Sequence, residues 1–427
     1  MKIQKICKPL NATLSNIAAD KSISHRFSIF SLLSSGENRA KNYLLAEDTL
    51  HTLQLVEKLG ASVKRIGNEI SIVAPKKIES VNSVLECGNS GTTMRLMIGF
   101  LSGISGFFVL SGDKYLNNRP MKRISEPLKQ IGAKIYGRDE ANLAPLCIEG
   151  SKLEGFEYTS EISSAQVKTA MILAGFNAKT PSRFKELSLS RNHSENMLEA
   201  MNAPLIRSED GLSLEIFPLT KPLKNLDITI PNDPSSVFYF VLSALLVPDS
   251  KICIRNVLLN PTRIQAYTVL QNMGANIELT ILENHFETVG EICASFSHLR
   301  AVQVSENISW LIDEAPALAI AFACAKGESV LRNAKELRVK ESDRIKAVVL
   351  NLQKCGIEAK ELDDGFCVKG GIPKFAKIES FGDHRIAMSF AVLGLVCGME
   401  IDESECIKTS FPKFKELLSD LGVEIAY

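Results

Sequence analysis

Six times along this chain, two apolar residues three positions apart are followed by Gly or Asn and then a short β-prone run, at 56–61, 128–133, 198–203, 270–275, 352–357 and 418–423. Residues three apart share one face of a helix, and Gly or Asn directly afterwards supplies the left-handed residue that ends it. A recurrence of roughly 70 to 80 residues is longer than a solenoid unit and predicts one α/β module used six times. Each module also opens on a polar cluster ahead of an apolar helix. The clusters hold Asp20-Lys21-Ser22, Asn89-Ser90-Gly91, Ser163-Ser164-Ala165, Asn232-Asp233-Pro234, Asp313-Glu314-Ala315 and Gly382-Asp383-His384. Ser, Asp and Asn there are good helix caps.

The clearest break falls at 226–231, midway through the six modules, so we expect two domains of three modules each. The first spans 12–228. The second joins 229–427 to residues 1–11, because 2–6 reads as a strand that precedes the first module and crosses to the other domain. The run 96–110 is apolar, but too short to cross a bilayer and broken by Gly99, Gly103 and Gly106. It reads as a buried helix running into a strand.

Charge sharpens the functional question. The 49 basic and 49 acidic side chains cancel, so no global field draws the chain to nucleic acid or membrane, and any cationic site is local. The ten cysteines form no C-x-x-C and no cluster with histidine. That argues against zinc and predicts reduced thiols in a cytoplasmic protein. No apolar signal core or Arg/Ser-rich transit segment is visible near Met1.

The densest polar run is Glu336-Leu337-Arg338-Val339-Lys340-Glu341-Ser342-Asp343-Arg344. On a helix, Lys340 and Arg344 share a face with Glu341 beside them. Such a run is usually a solvated face. Against that, Lys21, Arg26, Arg95, Lys168 and Arg385 recur at the other module openings, and a solvated face has no reason to keep a repeat register. Helix N-termini carry partial positive charge and free N–H groups. With Lys and Arg added, they suit small anions bearing phosphate and carboxylate. No G-x-x-x-x-G-K-[ST] or G-x-G-x-x-G supports ATP or a dinucleotide. Asp313, Glu341 and Asp383 are the acidic candidates. Asp383 and Asp313 are also plausible helix caps, whereas Glu341 lies past its cap position. Basic neighbours are expected to keep Asp313 ionised, as a base requires, and desolvation to favour a proton on Glu341.

The openings Asp20-Lys21-Ser22-Ile23-Ser24-His25-Arg26, Gly88-Asn89-Ser90-Gly91-Thr92, Arg338-Val339-Lys340-Glu341-Ser342-Asp343-Arg344 and Asp383-His384-Arg385 closely resemble the 5-enolpyruvylshikimate-3-phosphate synthase family. The resemblance covers essentially the whole chain. It implies two domains of three βαβαββ units, with the active site in the interdomain cleft. It also implies transfer of the enolpyruvyl group of phosphoenolpyruvate to the 5-hydroxyl of shikimate 3-phosphate, with release of phosphate. By matching motif, Lys21, Ser22, Arg26, Ser164, Gln166, Asp313 and Lys340 hold shikimate 3-phosphate. Lys21, Gly91, Arg119, Gln166, Arg344 and Arg385 hold phosphoenolpyruvate. Lys21, Asp313 and Glu341 are the implied catalytic residues, Asp313 as base and Glu341 as proton donor. Acid–base and electrostatic catalysis suffices for such chemistry, so no metal or organic cofactor is expected. The chain is expected to work as a monomer on these two small molecules.

Two departures and one contrast refine this. Phe411-Pro412 is preceded at the family's Lys position by Thr409, with Lys408 one step earlier; Lys408 is left out of the site. Gly112-Asp113-Lys114, Ser164-Ala165-Gln166-Val167-Lys168, Arg191-Asn192-His193-Ser194-Glu195 and Asn260-Pro261-Thr262-Arg263 resemble the glyphosate-tolerant subgroup, in which Arg191 also binds the substrate phosphate. Yet Gly91 stands where some tolerant members carry Ala. The sister family acting on UDP-N-acetylglucosamine places a reactive Cys before the Arg-Pro matching Arg119-Pro120, and 111–118 contains none. A non-catalytic binder of phosphorylated metabolites is the other class of reading; it should have lost the acid–base pair that is present here.

Overall fold

All six helix-ending signals close their helices in the same way. In the computed structural model, which describes residues 1–426, Gly60, Gly132, Asn202, Gly274, Gly356 and Gly422 have φ between 55° and 97°. The next amide then reaches back over the last turn. Ala61 donates to the Val56 carbonyl at 3.1 Å, Ala203 to Leu198 at 2.9 Å and Val423 to Leu418 at 3.1 Å. A side chain with a Cβ is strained at such φ, which is why Gly or Asn recurs there. The helices so ended are Glu47–Lys58, Lys122–Gln130, His193–Ala200, Gln265–Asn272, Arg344–Lys354 and Phe414–Asp420.

The other helix of each module starts at its polar opening: Lys21–Phe30, Gly91–Ser102, Ala165–Gly175, Pro234–Leu246, Ala315–Cys324 and His384–Cys397. The side chains of Asp20, Ser90, Ser164, Asp233 and Asp383 each accept a first-turn amide. The exception is the fifth opening. There Glu314 holds the cap position without a side-chain cap bond, so Asp313 is not a cap. Most of these helices are buried on nearly every side, as in Ala315–Cys324, where every residue from Ala315 to Ala323 is buried. A helix that is apolar all round must sit inside a core.

Among the described residues there are six four-stranded sheets, built on one plan. An edge strand runs parallel to its neighbour, and two antiparallel strands follow. In one, Leu85–Glu86 runs parallel to Phe107–Ser111, which pairs antiparallel with Leu143–Glu149, itself paired with Lys134–Gly137. The run expected as a buried helix leading to a strand is therefore the helix Gly91–Ser102 followed by Phe107–Ser111. No helix among the described residues is long and apolar enough to cross a membrane.

The chain divides into two compact units, 20–230 and 1–19 with 231–427, each holding three of the sheets. Lys2–Ile3 lies between Met399–Ile401 and Ile425–Ala426, antiparallel to both. The boundary differs from the expected 11/12 and 228/229. Asn11–Leu14 runs parallel to Lys251–Leu258, which assigns 12–19 to the unit of 231–427. Asp227–Thr229 is the parallel edge strand beside Glu37–Lys41, which keeps 229 and 230 with the other unit. Hydrogen-bond pairing decides this, and no local sequence signal reports it.

One expectation about cysteine is corrected. Cys253 and Cys293 form a disulfide across neighbouring antiparallel strands, with their Cα atoms 4.0 Å apart. The register sets them directly opposite each other despite a sequence separation of 40. The other eight cysteines are free thiols.

Candidate active site

In the unit of 20–230, the openings of three buried helices supply a cationic cluster. Asp20 caps Lys21–Phe30 by accepting the Ile23 amide at 2.8 Å, which places Lys21 and Ser22 in the first turn. Lys21 is ion-paired with Asp48. Arg26, one turn on, is 3% exposed. It donates from Nε to Ser194 Oγ at 2.7 Å, from Nη2 to Thr169 Oγ1 at 3.2 Å and from Nη1 to the Ser22 carbonyl at 3.2 Å. Gln166, in the first turn of Ala165–Gly175, accepts Arg95 Nη1 at 2.6 Å and donates to Thr92 Oγ1 at 3.0 Å. Ser164 caps that helix and is half-buried. Arg119 donates to Asn89 Oδ1. Gly91 lies so close that a Cβ there would stand 3.2 Å from Arg95 Nη1 and 3.4 Å from Arg119 Nη1. Arg191 is half-buried on the segment between the strand Ser182–Glu186 and the helix His193–Ala200.

Behind this cluster His25 is fully buried. Its Nδ1 meets Thr52 Oγ1 at 2.7 Å, Thr52 meets Thr93 Oγ1 at 2.6 Å, and Thr93 donates to Ser90 Oγ at 2.7 Å. Burial, then Lys21 and Arg26, lower the imidazole pKa well below 6.5. A histidine neutral in the fold but protonated when unfolded stabilises the fold only above the unfolded value. Stability is therefore expected to fall as pH drops below about 6.5, by at most about 1.4 kcal/mol per pH unit from this residue. Urea titrations from pH 7 to 5 should show that slope flattened in His25→Gln; an identical slope in the variant counts against it.

In the unit of 1–19 with 231–427, Arg344 organises the acidic candidates. It is 1% exposed. Its Nη2 donates to Glu341 Oε2 at 2.6 Å, its Nε to Asp383 Oδ2 at 2.8 Å, and its Nη1 lies 3.6 Å from Asp313 Oδ1. Burial works against the guanidinium charge, but Asp383, Glu341 and Asp313 outweigh it and raise the Arg344 pKa. Asp383 also accepts Ser342 Oγ at 3.0 Å and caps its helix through the Arg385 amide at 2.9 Å. Burial opposes its charge as well, and Arg344 overrides that to hold its pKa below the usual carboxylate value. Asp383 is thus both the cap and an ion-pair partner. Arg385 Nη1 lies 3.9 Å from Glu314 Oε1. Lys340 keeps 24% of its side chain exposed, 3.9 Å from Glu336; burial lowers its pKa, with Asp313 and Glu336 pulling the other way.

Two expectations fail at this level. Lys340 and Arg344 do not share a helix. Lys335–Val339 is a short 3₁₀ turn, and the α-helix begins at Arg344, with Asp343 as its cap. Asp343 in that capping role is what starts the helix four residues late. Lys168 offers no charge to an anion, because it is enclosed by Glu186 and Glu195. Conversely, Arg95 was visible as a module-opening cation, yet its bond to Gln166 and its closeness to Gly91 were not. Asp48 and Thr169, which hold Lys21 and Arg26, carried no signal, and Ser194 stood in the Arg191-to-Glu195 pattern without an assigned role. Lys408 is 57% exposed and ion-paired with Glu405 at 2.5 Å.

The family model described as EPSP synthase (3-phosphoshikimate 1-carboxyvinyltransferase) matches residues 4–418. The chain belongs to the EPSP synthase family. It is an enzyme of that family, a carboxyvinyltransferase. A 3-phosphoshikimate 1-carboxyvinyltransferase of Campylobacter jejuni subsp. jejuni serotype O:2 is 67% identical over 428 residues, covering 100% of both chains. One from Campylobacter hominis is 60% identical over 425 residues, again covering 100% of both. Among solved structures, an EPSP synthase from Acinetobacter baumannii superposes with a TM-score of 0.87 at 33% identity, covering 100% of this chain and 99% of that one. The two-domain α/β architecture of repeated small mixed sheets is thus that of the EPSP synthase family.

Proposed function

We propose that this EPSP synthase family member transfers the carboxyvinyl group of phosphoenolpyruvate to the 5-hydroxyl of shikimate 3-phosphate. The observation that carries the reading is Arg344, which gathers Asp313 and Glu341 about one guanidinium within a chain whose residues 4–418 match the family model. Lys21, Ser22, Arg26, Ser164, Gln166, Arg191, Asp313 and Lys340 hold shikimate 3-phosphate. Lys21, Gly91, Arg119, Gln166, Arg344 and Arg385 hold phosphoenolpyruvate. Asp313 takes the proton of the 5-hydroxyl as its oxygen bonds to C2 of phosphoenolpyruvate, and Glu341 gives a proton to C3. In the second step Glu341 takes a proton back from C3, the C2–O bond to phosphate breaks with the proton on Asp313 passing to the leaving phosphate, and the C2=C3 double bond returns. The cationic groups offset charge on phosphate and carboxylate throughout. The same reading makes the chain a monomer of the cytoplasm. Phosphate release from phosphoenolpyruvate, measured with and without shikimate 3-phosphate, tests the reaction; release independent of shikimate 3-phosphate, or none, refutes it.

Gly91 yields a specific prediction. A methyl there presses on Arg95 at 3.2 Å and Arg119 at 3.4 Å, so one of the guanidinium groups must shift. Gly91→Ala is expected to raise the KM for phosphoenolpyruvate about 3- to 10-fold, the cost of about 1 kcal/mol in an anion contact. The KM for shikimate 3-phosphate should stay near wild type. A variant with unchanged KM for phosphoenolpyruvate would place that substrate elsewhere.

A further inference from the structure

Lys168, Glu186 and Glu195 form an ion triad in the core of the 20–230 unit. Lys168 Nζ lies 2.8 Å from Glu186 Oε1 and 2.6 Å from Glu195 Oε1, and the three side chains are 1%, 1% and 0% exposed. Burying one ammonium with two carboxylates is a poor way to gain stability, because apolar side chains of similar volume commonly do as well or better. Its placement points to another use. Glu186 ends the strand Ser182–Glu186 and Glu195 lies in the first turn of His193–Ala200, so Lys168 clamps both ends of the segment 187–192 that carries Arg191. Glu186 Oε1 also accepts the Ser190 amide at 2.9 Å, one residue from Arg191. The chain neighbours of the triad complete the pattern. Thr169 follows Lys168 and Ser194 precedes Glu195; their hydroxyls lie 2.5 Å apart and both accept from Arg26.

We infer that Lys168, Glu186 and Glu195 are positioning residues that fix Arg26 and Arg191 as a pair for the phosphate of shikimate 3-phosphate. This rests on the reading of Arg26 and Arg191 as anion-binding groups. Fixed guanidinium groups lose less freedom when the anion arrives, so the triad acts on binding and not on the chemical step.

Two substitutions separate positioning from mere packing. Glu186→Leu leaves Lys168 paired one-to-one with Glu195 but removes the acceptor of the Ser190 amide. Glu186→Gln leaves the same pair and keeps an acceptor. The Leu variant is expected to raise the KM for shikimate 3-phosphate about 10-fold or more with kcat changed less than about 3-fold, the signature of lost uniform binding. The Gln variant should stay close to wild type, and amide exchange across 187–192 should quicken only in the Leu variant. If the Leu variant does not fold, the neutral triple variant Lys168→Met, Glu186→Gln, Glu195→Gln takes its place, with the same rise in KM expected. An unchanged KM in the folded variant, or unchanged exchange at 187–192, overturns the positioning role. Wild-type protein without turnover would instead sink the functional reading, and the exchange measurement would still decide whether the triad fixes the segment.

Discussion

Glu341→Gln is expected to lower kcat by about 10²- to 10⁴-fold, the usual contribution of a general acid or base, while the affinity for shikimate 3-phosphate changes little. The structure makes this substitution unusually clean. Glu341 meets Arg344 through Oε2 at 2.6 Å, and a glutamine oxygen still accepts from that guanidinium. Arg344 therefore keeps its place, and what is removed is the carboxyl group's ability to carry a proton, which the 2.6 Å pair with Arg344 opposes in the free protein. Steady-state kinetics together with direct binding of shikimate 3-phosphate decide the matter. Near-normal kcat, or an effect confined to binding, would return Glu341 to the role of a salt-bridge partner on the surface of its loop.

Arg344→Ala is expected to damage both fold and binding. Asp383 is fully buried and takes two of the Arg344 contacts, Nε at 2.8 Å and Nη2 at 3.3 Å. Without the guanidinium, Asp383 is left buried with Glu341 and Asp313 as its acidic company. Breaking a buried pair by removing one partner costs about 3–5 kcal/mol. The KM for phosphoenolpyruvate should rise as well, because an anion contact made in both ground and transition states is lost. Urea unfolding of the single variant and of Arg344→Ala/Asp383→Asn separates the two effects. The double variant should recover part of the stability but not the KM. An unfolding midpoint unchanged in the single variant would show that Asp383 finds another partner.

Most of the framework is legible in the sequence, because it rests on local chemistry. A left-handed residue at the end of a helix admits Gly or Asn and little else, so the endings at Gly60, Gly132, Asn202, Gly274, Gly356 and Gly422 announced six copies of one module. Helix caps are equally local, which is why Asp20, Ser90, Ser164, Asp233 and Asp383 marked their helix starts correctly. Asp313 misled for the same reason. A carboxylate one residue outside a helix looks like a cap in sequence, yet the cap position of that helix belongs to Glu314.

What the tertiary structure alone decided are relations between residues distant in sequence. The assignment of 12–19 to the unit of 231–427, and the facing of Cys253 and Cys293, follow from strand register, which depends on pairings that a local pattern does not encode. Lys168 and Arg344 make the point for the site. Both are cations in the first turn of a helix, yet Lys168 is consumed by two buried glutamates, while Arg344 gathers Asp313, Glu341 and Asp383. A charge in a protein takes its meaning from the groups within a few ångströms of it. The sequence by itself therefore determined the modules, their helix ends and the inventory of charged groups. Only the fold decided which charges neutralise one another and which remain to meet a substrate.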